Sequence, residues 1–500
     1  MDTVSWRDYQ GMADFGGLFV EDDGGGDLSQ GITTQGDIDA LNKALIAGSA
    51  INNPGSAPGE GFPLRVESLD QTLYNTQYKA KDIKFWKALA KDAAYNTVEE
   101  YNRLDEYGNG ESIYIPEGAL PVEDDSEYSR QYTRIKFMGT TRRVTHVMSL
   151  LRAAHGNAVA RETVNGTMFL LRQIERGLFT GDENMISVQF DGIETLMAKS
   201  FDISLAEDGQ YLGYEDDLNV VDLRGEPLTE DHITDLTEQL VAEPNFGSPS
   251  DLWLPTGPMK DLSKILYPKE RYDLPAPTGG KAGIAINTIV TPFGDIALNP
   301  DIFIPQSGVP SATGIGKANI RPLAPTITVA PAAAAYAGAN QTFWTAQDAG
   351  TYIYRVVAGS RFGRSAPATS AAVAVVGGDS VTFTVQDNGP DTSFYEISRT
   401  EAGGAAATAR TIFRVAKAGA SQVITDLNRF LPGTSKGYML SQDAEVLKWK
   451  QLAPFTKIPL ATIDTSIRWM QVLYGALQLM QPRKCGMFIN IGRLPTGVAA

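Results

Sequence analysis

The segment that determines the main architecture runs from YTRIKFM at residues 132–138, through VTHVMSLL at 144–151, to LRQIERGL at 171–178. In the first stretch apolar and basic residues alternate, which is typical of a strand. In the other two, apolar residues recur every three or four positions, which is typical of a helix. The sequence therefore predicts a strand followed by a long helix near residues 146–178, which Gly156 and Gly166 would bend or interrupt.

A second predicted strand at residues 112–115 precedes the first, so the two would form a long hairpin. Its connection contains prolines and a cluster of carboxylates, and we expect this tip to be solvated unless it meets a basic surface of a partner. Two adjacent arginines at the start of the predicted helix would offer such a surface on a neighbouring subunit. The resulting candidate inter-subunit contacts are Glu123, Asp124, Asp125, Glu127, Arg142 and Arg143.

The parts of the chain on either side of this segment differ in composition. Residues 1–60 contain ten acidic and two basic residues together with glycine runs, which indicates an extended arm rather than a packed core. Farther along, a helix over residues 229–241 and a strand pair at 284–290 and 295–298 indicate an α+β domain.

The composition changes to Pro, Ala, Gly and Thr between residues 305 and 340, which marks a domain boundary. Alternating strands follow at 351–358, 381–385 and 394–399 and predict a β-sandwich. The first of these runs resembles the penultimate strand of immunoglobulin-like or fibronectin type III modules. The last resembles an early central strand of such modules, yet it follows the first, so a permuted sandwich and two partial sandwiches both remain open.

Composition excludes several classes of protein. The net charge of −16 opposes a tight grip on nucleic acid, because affinity for phosphates comes mainly from Lys and Arg. The single cysteine, Cys485, cannot form an internal disulfide, which favours a reducing compartment. The stretch from Met1 to Val20 lacks a basic cap before an apolar run, and the chain contains no long apolar run, so we expect neither a signal peptide nor a membrane anchor.

The residues that could carry chemistry are few and do not form known motifs. His146, His155 and His232 lie outside any zinc-binding spacing. The run Gly314-Ile315-Gly316-Lys317 lacks the first glycine and the final hydroxyl residue of a phosphate-binding loop, and Cys485 has no histidine near it in sequence. The sequence therefore predicts no catalytic residue, no metal and no cofactor, and we expect a protein that is not an enzyme.

Several short motifs resemble the major capsid proteins of tailed phages. They are Leu69-Asp70-Gln71-Thr72-Leu73, Tyr101-Asn102-Arg103, Tyr107-Gly108, Phe190-Asp191-Gly192-Ile193-Glu194 and Asn490-Ile491-Gly492. The order of an acidic arm, a long hairpin, a long helix, an α+β domain and a return segment is also similar to that family, over residues 60–320 and 435–500.

The resemblance implies the tailed-phage capsid fold, an α+β class, with an all-β immunoglobulin-like sandwich inserted. The implied parts are an N-terminal arm (1–78), an extended loop region (79–145), a spine helix and peripheral domain (146–225), an axial domain (226–320), the sandwich (321–434) and a return segment (435–500). Family members assemble as hexamers and pentamers into an icosahedral shell around double-stranded DNA, which implies a virion protein that is assembled in the host cytoplasm.

The partners that the resemblance implies are copies of the same chain, a portal, scaffolding or decoration proteins, packaged DNA bound without sequence specificity, and glycans at the sandwich. An encapsulin-like nanocompartment shell shares the fold and is an alternative. A carbohydrate-binding surface adhesin is a second alternative, and a hydrolase that uses an acidic pair such as Asp124-Asp125 is a third.

Overall fold

The computed structural model describes residues 76–108, 114–120, 123–151, 156–200, 219–270, 286–338, 342–389, 391–461 and 464–494. The described residues combine helices with several β-sheets, which confirms the mixed α+β class. Most of the predicted N-terminal arm lies outside them.

The α-helices of the described residues are α1 Phe85–Ala88, α2 His146–Leu150, α3 Ala158–Thr180, α4 Ile193–Ser200, α5 Glu230–Val241 and α6 Thr256–Glu270. The strands are β1 Ala90–Ala93, β2 Val98–Glu106, β3 Glu127–Arg134, β4 Lys136–Thr145, β5 Val220–Asp222, β6 Asp251–Pro255, β7 Thr288–Thr291, β8 Gly294–Asp301, β9 Ile315–Gly316, β10 Thr326–Ala335, β11 Gly350–Ser360, β12 Gly363–Arg364, β13 Ala368–Val375, β14 Asp379–Gln386, β15 Phe394–Arg399, β16 Arg410–Ala416, β17 Ser421–Asp426, β18 Ser435–Leu440, β19 Leu447–Pro459, β20 Ser466–Leu479 and β21 Gly486–Ile491.

The hairpin is present, but its strands differ from the prediction. Strand β2 pairs antiparallel with β3, from Val98 opposite Arg134 to Glu106 opposite Glu127. The predicted strand at 112–115 is wrong where it can be compared, because Tyr114 and Ile115 are not in a strand. The predicted strand at 132–138 is in fact the end of β3 and the start of β4, which belong to different sheets and meet at the buried Ile135.

The helix predicted over residues 146–178 is interrupted near Gly156, which the sequence indicates as a possible break, and two helices of the described residues occupy that stretch. Gly166 lies within α3 and does not interrupt it. Helix α2 stops at Leu151, whose backbone is extended. Gly156 has a φ of +88°, outside the helical region, and Asn157 then caps α3 by accepting a hydrogen bond from the backbone N–H of Val159 at 2.8 Å. Val144, the first residue of the apparent apolar stripe, is instead buried in strand β4.

Two sheets form the body. One has the order β1-β19-β20-β4, and β4 pairs along its whole length with β20, from Lys136 opposite Gly475 to Thr145 opposite Ser466. The other has the order β5-β21-β18-β6-β8-β7. Helix α5 packs near this second sheet and confirms the helix predicted over residues 229–241. Thr229 caps its start.

Strands β9–β17 lie in sequence between β8 and β18, which both belong to the second body sheet. They form a three-stranded sheet, β10-β14-β17, and a sheet of order β16-β15-β11-β12-β9, in which β13 also pairs with β11. The predicted strands at 351–358, 381–385 and 394–399 are confirmed as parts of β11, β14 and β15. The inner faces of the two sheets share buried residues such as Tyr354 and Phe383, whose ring centroids are 5.2 Å apart.

Aromatic packing joins the root of the hairpin to the body. Phe85 of α1 stacks on Phe179 of α3 with a centroid separation of 4.8 Å and meets the edge of Trp253 of β6 at 5.0 Å. Trp86 contacts Trp449 of β19 at 4.8 Å. Buried aromatic pairs of this kind contribute more than their area alone, so the segment that precedes the hairpin is held firmly.

Candidate assembly surface

The far end of the hairpin carries the acidic cluster that the sequence singled out. Glu123, Asp124, Asp125 and Glu127 are all exposed. The nine residues of β2 extend about 30 Å at roughly 3.4 Å per residue, so the hairpin carries these carboxylates well away from its root. We call residues 123–127 the acidic tip.

Large apolar side chains accompany the acidic tip and are also exposed. Tyr107 is 87% exposed, Tyr114 88%, Leu120 91% and Tyr128 70%. A two-stranded hairpin with such a surface does not stabilise itself in water. Clustered exposed apolar residues mark a surface that contacts another protein, and this makes the hairpin a candidate assembly surface.

The structure places Arg142 and Arg143 in strand β4 and not at a helix start. Both are engaged within the chain: an Nη of Arg142 lies 3.4 Å from a carboxylate oxygen of Glu162, and an Nη of Arg143 lies 3.6 Å from one of Asp464. No ion pair among the described residues joins them to the acidic tip of their own chain.

A buried carboxyl pair lies at the root of the hairpin. The Glu175 carboxylate accepts hydrogen bonds from the backbone N–H groups of Lys84 (2.9 Å), Phe85 (2.8 Å) and Trp86 (2.9 Å). Asp301, also buried, accepts one from the N–H of Phe303 at 2.7 Å. Burial, and then the charge of Asp301, raise the pKa of Glu175 to about 8, because desolvation and a like charge both disfavour the ionised form.

Sequence reasoning missed a basic cleft of about 1540 Å³ between α3, strand β4 and the sheet that contains β16. Arginines from distant parts of the chain line it, and we call it the arginine cleft after four of them: Arg176, Arg361, Arg364 and Arg414. No local signal could have revealed it, because Arg176 lies on α3 whereas the other three come from the region of β9–β17.

The residues considered for chemistry do not form a site. Among the described residues no group of His, Cys, Asp and Glu could hold a metal ion. His232 lies beside Thr229, with Nδ1 3.0 Å from the hydroxyl, His146 is exposed, and His155 lies outside the described residues. Cys485 is buried, which raises the pKa of its thiol to about 12. No helix in the described ranges is both long and apolar enough to span a membrane.

Comparison with known proteins identifies the family. Residues 50–319, more than half of the chain, match the model of the SU10 major capsid protein family. The chain is 25% identical over 452 residues to the major capsid protein of Staphylococcus phage S25-3, and the match covers 86% of this chain and 90% of that protein. It is also 25% identical over 451 residues to the major capsid protein of Staphylococcus phage K, with the same coverage. Among solved structures it is similar to the capsid of cyanophage P-SCSP1u, with 7% identity, 88% and 96% of the two chains covered and a TM-score of 0.45. The chain therefore belongs to the SU10 major capsid protein family and is a major capsid protein of a tailed phage.

Proposed function

We propose that this capsid protein assembles as hexamers and pentamers into an icosahedral shell that encloses double-stranded DNA. The observation that carries the proposal is the exposed hairpin of a chain that belongs to a capsid family. A shell built from many copies needs no catalytic residue, because weak contacts repeated around closed symmetric rings become collectively strong. Family membership favours this function over the encapsulin-like, adhesin and hydrolase alternatives.

The contacts between subunits are proposed to include the acidic tip. Its carboxylates are exposed beside large apolar side chains, so a partner surface would bury apolar area and neutralise charge together. Arg142 and Arg143 are weaker candidates for this contact than the carboxylates of the acidic tip. Each would have to give up or share its present partner, Glu162 or Asp464, to receive a tip.

Strands β10–β17 are proposed to be an immunoglobulin-like sandwich inserted into the capsid fold at residues 321–434. This region has two facing sheets with a shared buried core. It lies in sequence between β8 and β18, which are strands of the same body sheet. Both observations support the proposal. The other domain limits, at 1–78, 79–145, 146–225, 226–320 and 435–500, remain predictions. So do the portal, scaffolding and decoration partners, glycan binding by the sandwich and assembly in the host cytoplasm.

Shortening the hairpin tests the assembly role directly. Replacing residues 107–126 by an Asn-Gly turn should abolish closed particles, measured by analytical ultracentrifugation, because the exposed contact surface is lost. The thermal midpoint should stay within a few degrees of the parent value, because the described residues of this range, 107–108, 114–120 and 123–126, are all exposed. Full assembly by the shortened chain would contradict the proposed role of the hairpin.

Charge reversal of the tip tests whether its carboxylates contribute to assembly. Glu123→Lys with Asp125→Lys should reduce the yield of particles while the fold is retained, and Glu401→Lys, an exposed acidic position in the β9–β17 region, is the matched control. A variant that assembles like the control would show that the tip does not contribute to assembly.

A further inference from the structure

Basic side chains outnumber acidic ones among the residues that line the arginine cleft. Six basic and three acidic residues line it. Arg364 and Arg414 share one carboxylate, that of Glu396, at 2.8 and 3.5 Å. Lys417 pairs with Asp387, and Lys436 pairs with Glu194.

Arg176 and Arg361 differ from these neighbours. No carboxylate of the described residues lies within ion-pair distance of either guanidinium group, and both residues are exposed. Partial burial of the guanidinium group, and then the nearby charges of Arg172 and Arg414, lower the pKa of Arg176, so these like charges add to the cost of desolvation. An anion bound here would relieve that repulsion and accept two-pronged hydrogen bonds from arginine.

The cleft also presents aromatic surface. Phe137 is 60% exposed, Phe169 43% and Phe362 40%, and all three line it. The cleft therefore suits a ligand that combines carboxylates with apolar side chains. The acidic tip has that composition, since Tyr128 adjoins its carboxylates.

We infer that the arginine cleft of one subunit receives the acidic tip, Glu123 to Glu127, of a second copy of this chain. The inference rests on the proposed shell function and specifies which surface the hairpin contacts. The inferred partners of the tip are Arg176 and Arg361, which have no carboxylate within ion-pair distance among the described residues, and not Arg142 and Arg143, which are already ion-paired. A hairpin that extends about 30 Å from its root suits a contact with another subunit.

Nucleic acid is the competing anion, and the charges disfavour it. A chain with a net charge of −16 repels a long polyanion, whereas a five-residue tip brings a few carboxylates to one basic spot. Each exposed ion pair contributes only about 0–1 kcal/mol. Isolated subunits would therefore bind the tip weakly, and the contact has to be measured in assembled particles.

Cysteine crosslinking in particles tests the contact. The single native cysteine is buried, so introduced cysteines are the reactive ones. Particles of a variant with Asp125→Cys and Arg361→Cys, treated with a short bismaleimide, should give a ladder of covalent multimers on a denaturing gel. The matched control has Asp125→Cys and Arg143→Cys and should stay monomeric. A ladder only in the control, or monomers from both sets of intact particles, would overturn the inference.

A charge swap gives an independent readout. Arg176→Glu should lower the particle yield by about tenfold, a change of about 1.4 kcal/mol. Adding Asp125→Arg should restore part of it, because the two charges are exchanged across the contact. Normal yield from Arg176→Glu with reduced DNA content would overturn the inference in favour of nucleic acid. If the unsubstituted chain forms no shells under any condition, the proposed function fails and the inference fails with it, whereas shells without the 125–361 crosslink overturn the inference alone.

Discussion

Glu175 connects the segment before the hairpin to helix α3 through three backbone hydrogen bonds while it is buried beside Asp301. Its pKa of about 8 in the folded chain lies above the ordinary value for glutamate, so folding favours the protonated form. The resulting stabilisation is complete below the unfolded pKa and is lost as the pH rises through 8. We therefore expect the thermal midpoint of unfolding to decrease as the pH is raised from 6 to 9.

Substitution of Glu175 separates its contribution to the pH dependence of stability from the contributions of other titratable groups. Glu175→Gln has no carboxyl proton to lose, so its midpoint should vary less over the same pH range in scanning calorimetry. Glu183→Gln is the matched control, because pairing with Lys136 lowers the pKa of Glu183 and confines its contribution to acidic pH. Equal slopes for the parent and Glu175→Gln would show that Glu175 is ionised throughout this range.

The buried thiol of Cys485 gives a second prediction for a single residue. Its pKa of about 12 leaves almost no thiolate at neutral pH, and thiolate is the reactive form. We expect no reaction with a disulfide-exchange reagent in the native protein at pH 8 and one equivalent after denaturation. Rapid reaction of the native chain would contradict the burial of this residue.

At the scale of elements, the β9–β17 region depends on one buried ion pair. Arg399 of β15 lies 2.5 Å from a carboxylate oxygen of Asp426, which also accepts a hydrogen bond from Tyr354 at 2.8 Å. Arg399→Ala leaves Asp426 buried without its cation and should lower the free energy of unfolding by about 3–5 kcal/mol. Arg410→Ala, at an exposed position of β16, should change it by less than about 0.5 kcal/mol in the same chemical denaturation series. Similar values for the two variants would contradict a structural role of the buried pair.

Elements whose residues are buried by their own chain were predictable from sequence. Helix α5 starts where Thr229 caps it, and β11 lies where apolar residues alternate over residues 351–358. In both cases the local sequence signal and the pattern of buried residues indicate the same type of element at the same place.

Elements that expose apolar residues were not predictable from sequence in the same way. Val147, Met148 and Leu151 follow Val144 at helical spacing, yet only Val144 is buried. Periodicity records which residues are apolar, but it does not distinguish burial within one chain from burial against another copy. The apolar stripe from Val144 was therefore read as one buried helical face, whereas Val144 lies in β4. The break in the helix predicted across 146–178 does coincide with Gly156, which adopts a positive φ.

Both proposed contact surfaces exist only in the folded molecule, because each depends on the arrangement of several segments. The arginine cleft needs α3 and the β9–β17 region side by side, and the acidic tip needs the length of the hairpin to reach another subunit. The acidic cluster was recognisable in sequence because its carboxylates are adjacent. Its inferred receiving surface was not recognisable, since Arg176 and Arg361 are 185 residues apart in the chain.

Assembly into shells is the central claim, and negative-stain electron microscopy of the purified full-length protein, expressed alone and with a candidate scaffolding protein, tests it most directly. Closed shells or capsomer rings are the predicted result. Dispersed monomers under every condition would contradict it.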